Sequence, residues 1–304
     1  MAMPAKLSSK PVIIASVATV AASVLGGYIW HEEHRPSIAE AYVFALKSGR
    51  STLIRTPDDH RILIDGGANS EVIRHLSSVL PFYSRRLDAV IATNTDGKNV
   101  SGLVDILERY QVDRVYIPAV TVSSLGISTS THLAYQVFID TIESKSIELK
   151  ELVVGDTVFL GDVAIEVLFP VSEDSFVYSR ASAPELVLKI SYGNSSILMM
   201  NGVSIKIQKH IASHIQMKGG DVLVVSHSAA PAAVAYDLVS EVQPKFLVYS
   251  KTPSKSVGRT LSSVSKKIVD PLAGILEKDR FNLKEVGTVR ISMDGEDAEI
   301  TKTD

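Results

Sequence analysis

The stretch LDAVIATNTDGKNVSGLVDILERYQVDRVYIP (87–118) decides the fold class of this chain. Residues 87–92 are mostly apolar and predict a buried strand, and residues 100–110 carry apolar side chains at helical spacing. Residues 112–117 predict a second strand. A strand, a polar loop, an amphipathic helix and a further strand indicate an α/β protein. Such proteins usually place their chemistry in the loop that follows a strand, which here is 93–99.

The same alternation continues on both sides of this stretch. Residues 42–64 contain three short β-branched runs and predict an antiparallel meander. The segment DGG (65–67) then breaks the pattern and is interpreted as a structural turn, because glycine permits positive φ. Further apolar runs at 163–169, 222–225 and 246–249 predict buried strands between helical segments. We therefore expect two mixed sheets, each covered by helices, in one four-layer αββα domain of the α/β (α+β) class.

The composition excludes several classes of function. The chain has 304 residues, 45% of them hydrophobic, so it is long and apolar enough to bury a core. Its 31 Lys and Arg against 34 Asp and Glu give a net charge of -3, which excludes a uniformly basic nucleic-acid binder. There is no cysteine, so disulfides, thiol catalysis and thiolate metal sites are excluded. A metal would need His, Asp or Glu as ligands.

The most apolar segment is PVIIASVATVAASVLGGYIW (11–30), which contains no charged residue. Twenty helical residues extend about 30 Å, the thickness of the hydrocarbon core of a bilayer. The segment therefore predicts one transmembrane helix, or an uncleaved signal anchor, with the basic tail (1–10) in the cytoplasm. Residues 31–41 would form a linker, and the domain (42–304) would lie outside the cytoplasm at the cell membrane. The alternatives are a secreted domain released by signal cleavage near VAA (20–22) and a buried core helix.

Three longer segments carry the pattern of a known family: TLIRTPDDHRILIDGG (52–67), VLPFYSRRLDAVIATNTDGKNVSGLVDILERYQVDRVYIP (79–118) and DVLVVSHSAAPAAVAYDLVSEVQPKFLVYS (221–250). Together they resemble the metallo-β-lactamase fold, and within it the soluble domain of the ComEC family of DNA-uptake competence proteins. The resemblance covers about residues 42–300. It implies an αββα sandwich and, for typical members, one or two zinc ions held by His and Asp side chains.

The loop that carries metal ligands in that family is altered here. The family loop reads T-H-P-D-A-D-H-x-G-G, whereas residues 93–102 read TNTDGKNVSG. The family's metal-bridging Asp follows a strand as T-G-D, which corresponds to MNG (200–202), and its G-H-H-G-S motif corresponds to SHSAA (226–230). Matched in this way, the vestigial metal-site positions are Asn94, Asp96, Lys98, Asn99, Gly202 and His227.

These replacements predict that the zinc site is lost. Zinc needs about three or four donors, whereas Asp96 and His227 supply at most two, and the ammonium of Lys98 would repel a dication. Without a metal, nothing lowers the pKa of water from about 15.7 toward 7 to give a hydroxide nucleophile. We therefore interpret the domain as a pseudoenzyme without a cofactor that binds or scaffolds. The enzyme alternative is a divergent metal-dependent hydrolase or nuclease that uses Asp96 and His227.

A second group of residues predicts an anion site. The G-Q-G-D-A signature of the family corresponds to KSGRS (47–51), so arginine stands where the family has the acid. The segment 251–267 holds five basic residues and no acid. Fixed positive charge on the rim of the former metal site would attract phosphate. The candidate partners are therefore nucleic acid, a membrane protein and the membrane. The remaining alternative is that the domain binds a protein partner through an apolar patch. The candidate anion-binding residues are Lys47, Arg50, Lys98, Lys251 and Lys255.

Overall fold

The computed structural model describes residues 19, 22–27, 37–119, 129–169, 185–214, 220–225, 234–250 and 275–303. The chain divides into two compact units, Met1–Ser37 and Ile38–Asp304. In the first unit, residues 22–27 are helical and exposed. None of the helices in the described ranges is both long and apolar enough to cross a membrane. The predicted span (11–30) lies largely outside the described residues and stays a prediction.

The described part of the second unit contains fifteen strands, six α-helices and one short 3-10 helix (Glu277–Asp279). The strands are β1 (Ala39–Val43), β2 (Thr52–Arg55), β3 (Arg61–Ile64), β4 (Arg86–Ile91), β5 (Gln111–Pro118), β6 (Glu148–Leu152), β7 (Thr157–Leu160), β8 (Val163–Phe169), β9 (Val187–Tyr192), β10 (Ser195–Met199), β11 (Val222–Val225), β12 (Phe246–Tyr249), β13 (Arg280–Asn282), β14 (Val289–Met293) and β15 (Ala298–Lys302). The helices are α1 (Glu71–Val79), α2 (Gly97–Arg109), α3 (Thr129–Ser144), α4 (Ile205–His214), α5 (Tyr236–Val242) and α6 (Leu283–Val286).

The first sheet has eight strands in the order β15-β14-β1-β2-β3-β4-β5-β6. Strands β1, β2 and β3 pair antiparallel, which confirms the predicted meander. From β3 to β6 the pairing is parallel. Parallel neighbours need crossover connections, and α1, α2 and α3 supply them. The carboxyl ends of β3 and β4 therefore lie at one edge of this sheet, where the DGG turn (65–67) and the polar loop (93–99) follow.

The second sheet has seven strands in the order β13-β12-β11-β10-β9-β8-β7. Strands β7 to β10 pair antiparallel, and β10 to β13 pair parallel. Helix α4 connects β10 to β11, and α5 connects β11 to β12. The segment MNG (200–202) therefore follows the carboxyl end of β10, at the start of the parallel half of the sheet.

Three hydrophobic cores define the layers of the domain. Successive residues of a strand face opposite sides of its sheet, so Ile62 and Ile64 of β3 pack in the core between the two sheets. Leu63, which lies between them, packs in a second core with α1, α2 and α3. In a third core the outer face of the second sheet packs on α4 and α5 through residues such as Leu198 and Leu238. The order helices, sheet, sheet, helices confirms the predicted four-layer αββα sandwich.

The structure differs from the sequence prediction at the start of the domain and at the sheet edges. Strand β1 begins at Ala39 rather than at Tyr42, so residues 39–41, predicted as linker, belong to the first sheet. Strand β6 was not predicted, because four of its five residues are exposed and ELKEL lacks an apolar pattern. Exposed charged residues are typical of an edge strand, and β6 lies at one edge. Strands β13, β14 and β15 were not predicted either.

Candidate functional site

Five residues from separate chain segments converge where the strands of the two sheets end. Asp65 follows β3, Thr93 follows β4, Asn201 follows β10, and Glu185 lies just before β9. The loop between β1 and β2 brings Arg50 to the same place. We call these five residues the Arg50 cluster. Asp65 and Thr93 of this cluster flank strands of the first sheet, and Glu185 and Asn201 flank strands of the second.

The guanidinium of Arg50 is the centre of this cluster and is 7% exposed. Its Nε donates to Asp65 Oδ2 at 2.7 Å, and its Nη1 donates to the carbonyl oxygen of Asn201 at 2.7 Å. Its Nη2 donates to Thr93 Oγ1 at 2.8 Å and also pairs with the carboxylate of Glu185. The planar guanidinium presents its donors in fixed directions, so these contacts join the two sheets with defined geometry.

Asp65 is the main carboxylate partner of Arg50 and is held firmly itself. Its Oδ1 accepts from the backbone N–H of Thr93 at 2.8 Å, and its Oδ2 accepts from the Thr93 hydroxyl at 2.7 Å. The side chain of Asp65 is 1% exposed, and its backbone has a φ of 59°. The segment predicted as a structural turn is therefore a turn that also presents a buried carboxylate to an internal cation.

One cation and two carboxylates set the charge of the Arg50 cluster. Burial acts to lower the pKa of Arg50, but the carboxylates of Glu185 and Asp65 outweigh this effect, so the pKa is raised. Burial raises the pKa of Glu185 to about 8; Arg50 acts in the opposite direction, and the negative charge of Asp65 adds to the rise. Near neutral pH, Glu185 is consequently mostly protonated. The Arg50 cluster then has one positive and one negative charge.

The free energy of unfolding is expected to fall as the pH rises from about 7 to about 9. Glu185 titrates near 8 in the folded chain and near its ordinary value of 4.5 in the unfolded chain. Between these values the folded state holds an extra proton, so raising the pH costs stability, here about 1 kcal/mol. Urea unfolding at a series of pH values measures this change. The Glu185→Gln variant keeps the side chain uncharged and should show a flat profile; the same slope in both proteins would rule out Glu185 as the titrating group.

The polar loop after β4 is held by its own hydrogen bonds. Asp96 is the N-cap of α2, and its Oδ1 accepts from the backbone N–H of Lys98 at 3.0 Å. Asn94 Oδ1 accepts from Asn99 Nδ2 at 3.0 Å and from the backbone N–H of Asp96 at 3.1 Å. The two amides that stand at the family's histidine positions are buried and bind each other. The lone pairs of the Asn94 oxygen are thus used within the loop.

The other predicted site residues are distributed around this loop or lie outside the described chain. Lys47 and Lys98 are exposed, and Gly202 lies in the turn after β10 with a φ of 89°. Gly49 brings the segments of Lys47 and Lys98 together, because a Cβ at residue 49 would lie 1.8 Å from the carbonyl oxygen of Lys98. His227, Lys251 and Lys255 lie outside the described residues.

The placement of Arg50 differs from the sequence prediction. It was expected as a free cation on the rim, but it is buried and paired with Asp65 and Glu185, so its charge is not available to a dissolved anion. The sequence contained a signal for this pairing, since arginine replaces an acid while the nearby Asp65 is retained. The roles of Thr93, Glu185 and Asn201 were not predicted, because they depend on how the two sheets pack.

The described residues do not fit the zinc centre that the resemblance implies. Asp65 is directed at Arg50, Asp96 caps a helix, and the Asn94 oxygen accepts two hydrogen bonds. In the part of the chain that the structure describes, no three His, Asp or Glu side chains form a group that could hold a metal.

Several solved structures are similar to this chain in fold. The metallo-beta-lactamase fold protein YhfI from Bacillus subtilis matches 80% of this chain and 95% of its own, with 11% identity and a TM-score of 0.49. A diphosphatase from the PhnP family matches 84% and 99%, with 12% identity and a TM-score of 0.46. CmlA, a diiron beta-hydroxylase from Streptomyces venezuelae, matches 70% of this chain with 18% identity and a TM-score of 0.46, and the match spans 44% of CmlA.

No protein-family model matches the sequence, and neither does any curated protein. The three cores and the two strand orders define the chain as an αββα sandwich with two mixed sheets. This arrangement is consistent with a sandwich of the metallo-β-lactamase type.

Proposed function

We propose that this chain is a membrane-anchored αββα module that binds or scaffolds and does not hydrolyse a substrate. The observation that carries the proposal is the position of the Arg50 guanidinium, which joins the ends of both sheets beside the polar loop. In the resembled family this loop holds zinc. Here an internal cation with four partners lies next to it, and the loop amides bind each other.

The described residues of the site offer no group that would activate water as a nucleophile, which supports a role without hydrolysis. Water has a pKa of about 15.7 and needs a metal or a strong base to react at neutral pH. Within the described residues, the carboxylates beside the loop are committed elsewhere. Asp96 caps α2, and Glu185 pairs with Arg50. Neither carboxylate is a free base next to an open coordination position.

The proposed role is binding at the membrane. The apolar segment 11–30 would anchor the domain outside the cytoplasm and raise its effective concentration near membrane partners. Lys47 and Lys98 are exposed and form no ion pair within the described ranges, so they offer positive charge to a partner. The resemblance to ComEC supports a place in DNA uptake or envelope assembly, with nucleic acid or a membrane protein as the partner.

The purified full-length chain is expected to retain no stoichiometric zinc or manganese after incubation with either metal and dialysis. The physical reason is that, among the residues that the structure describes, no three His, Asp or Glu side chains form a group that could hold the ion. Elemental analysis measures the metal, and release of 4-nitrophenol from bis(4-nitrophenyl) phosphate measures hydrolysis, which is expected at the level of the protein-free blank. One tightly held metal per chain, with hydrolysis that disappears in Asp96→Ala, would contradict the proposal. That outcome would support the divergent hydrolase or nuclease instead.

A further inference from the structure

A cavity of about 490 Å³ lies between the segment after β1 and the short helix α6. Its apolar walls include Phe44, Leu46 and Leu283, and Lys47 and Lys284 line it from the two opposing chain segments. Cavities of roughly 300–1,000 Å³ with apolar walls and a few polar groups are typical of small-molecule sites. The cavity adjoins the Arg50 cluster, but its apolar walls and two lysines have no part in that cluster.

The charge around this cavity is one-sided. Among the described residues that line it, three are basic and none is acidic. Arg50 is one of the three and is neutralised by its own carboxylates, whereas Lys47 and Lys284 are exposed and form no ion pair within the described ranges. On the Lys47 side of the cavity, Glu71 accepts the backbone N–H of Lys47 and pairs with Arg74. The two lysines therefore favour an anion.

We propose that this cavity binds a small organic anion with an apolar body. Lys47 and Lys284 hold its carboxylate or phosphate group, and Phe44 and Leu283 pack against its apolar part. The inference rests on the proposed function in one respect, since the ligand is bound and released unchanged. The inferred ligand site does not depend on whether the protein binds nucleic acid or a membrane protein.

Isothermal titration calorimetry of the full-length chain tests this site with two anions and their neutral counterparts. Octanoate is compared with octanol, and phenyl phosphate with phenol. We expect at least one anion to bind and its neutral counterpart to bind about tenfold more weakly or not at all. The double variant Lys47→Ala/Lys284→Ala should lose about tenfold in affinity. The matched control is Lys150→Ala, which removes an exposed lysine of β6 at the opposite edge of the first sheet and should change affinity less than about twofold.

Each outcome bears on the site in a defined way. Binding of octanoate alone would identify a lipid-derived carboxylate, and binding of phenyl phosphate alone a phosphate ester; either supports the proposal. Equal binding of neutral and anionic probes, equal affinity in the double variant and the control, or no binding of any probe would overturn it. Binding of a thymidine oligonucleotide through the same lysines, without binding of the small anions, would overturn it in favour of nucleic acid. Cleavage of phenyl phosphate would contradict the proposed function and leave the site intact.

Discussion

Replacing Arg50 with methionine is expected to lower the free energy of unfolding by about 3–5 kcal/mol. Methionine retains much of the side-chain volume but removes the cation, so Asp65 is left as a buried carboxylate with no charged partner. The carbonyl oxygen of Asn201 and the carboxylate of Glu185 lose their donors at the same time. Urea unfolding of the full-length chain, followed by far-ultraviolet circular dichroism, measures the change.

A matched control for this variant lies in the neighbouring strand. Arg55 pairs with Glu40 at 2.7 Å but is 35% exposed, so Arg55→Met should cost less than about 1 kcal/mol. The conservative Arg50→Lys variant should fall between the two, because one ammonium cannot reproduce the fork of a guanidinium. Adding Asp65→Asn to Arg50→Met should recover part of the loss by removing the unpaired charge. If Arg50→Met lowers the free energy of unfolding no more than Arg55→Met does, the contacts of Arg50 do not stabilise the junction between the two sheets.

Replacing Gly102 with alanine is expected to cost about 3 kcal/mol, the second largest effect. Gly102 lies in α2 against the DGG turn, and its backbone N–H donates to the carbonyl oxygen of Gly67 at 3.0 Å. A Cβ at residue 102 would lie 1.9 Å from the carbonyl oxygen of Gly66 and 2.6 Å from that of Asn69. Both atoms belong to the backbone, so the helix or the turn must move. Urea unfolding again measures the cost.

The same helix supplies the control for this variant. A Cβ at Gly97, at the start of α2, would meet Ala134 Cβ at 3.2 Å and Ser101 Oγ at 3.6 Å, so α3 need move by only a few tenths of an ångström. Gly97→Ala should therefore change the free energy of unfolding by less than about 1 kcal/mol, since alanine favours the helix. Because the DGG turn presents Asp65, Gly102→Ala should also alter the pH profile that Glu185 sets. Similar unfolding energies for the two alanine variants would show that the close approach at Gly102 is not the constraint.

Strands buried on both faces were predicted accurately. Strands β11 and β12 begin and end at the residues predicted for them, because helices cover one face of the second sheet and the first sheet covers the other. Such strands are apolar throughout and stand out in the sequence. Strand β6 is largely exposed to solvent, and its charged residues form no apolar pattern that would predict a strand. The fold class was therefore predictable, whereas an edge of the sheet was not.

The candidate site was only partly predictable, for a different physical reason. The family pattern located the loop with Asn94, Asp96 and Asn99, and the structure shows how these residues bind one another. It also located Arg50 but gave its environment wrongly. The environment is set by Glu185, which is distant in sequence and reaches Arg50 only when the second sheet packs on the first. Sequence patterns carry periodicity and local motifs, and a contact of this kind has neither.

A cross-link made by a side chain behaves differently from one made by an exchangeable ion. The Arg50 guanidinium is covalently part of the chain, so the junction between the sheets forms with the fold and cannot be withdrawn by a chelator. Its strength depends on the protons in solution instead, because the neighbouring glutamic acid loses its proton at mildly alkaline pH. The pH of the solution, rather than the supply of metal ions, then affects the stability of the junction between the two sheets.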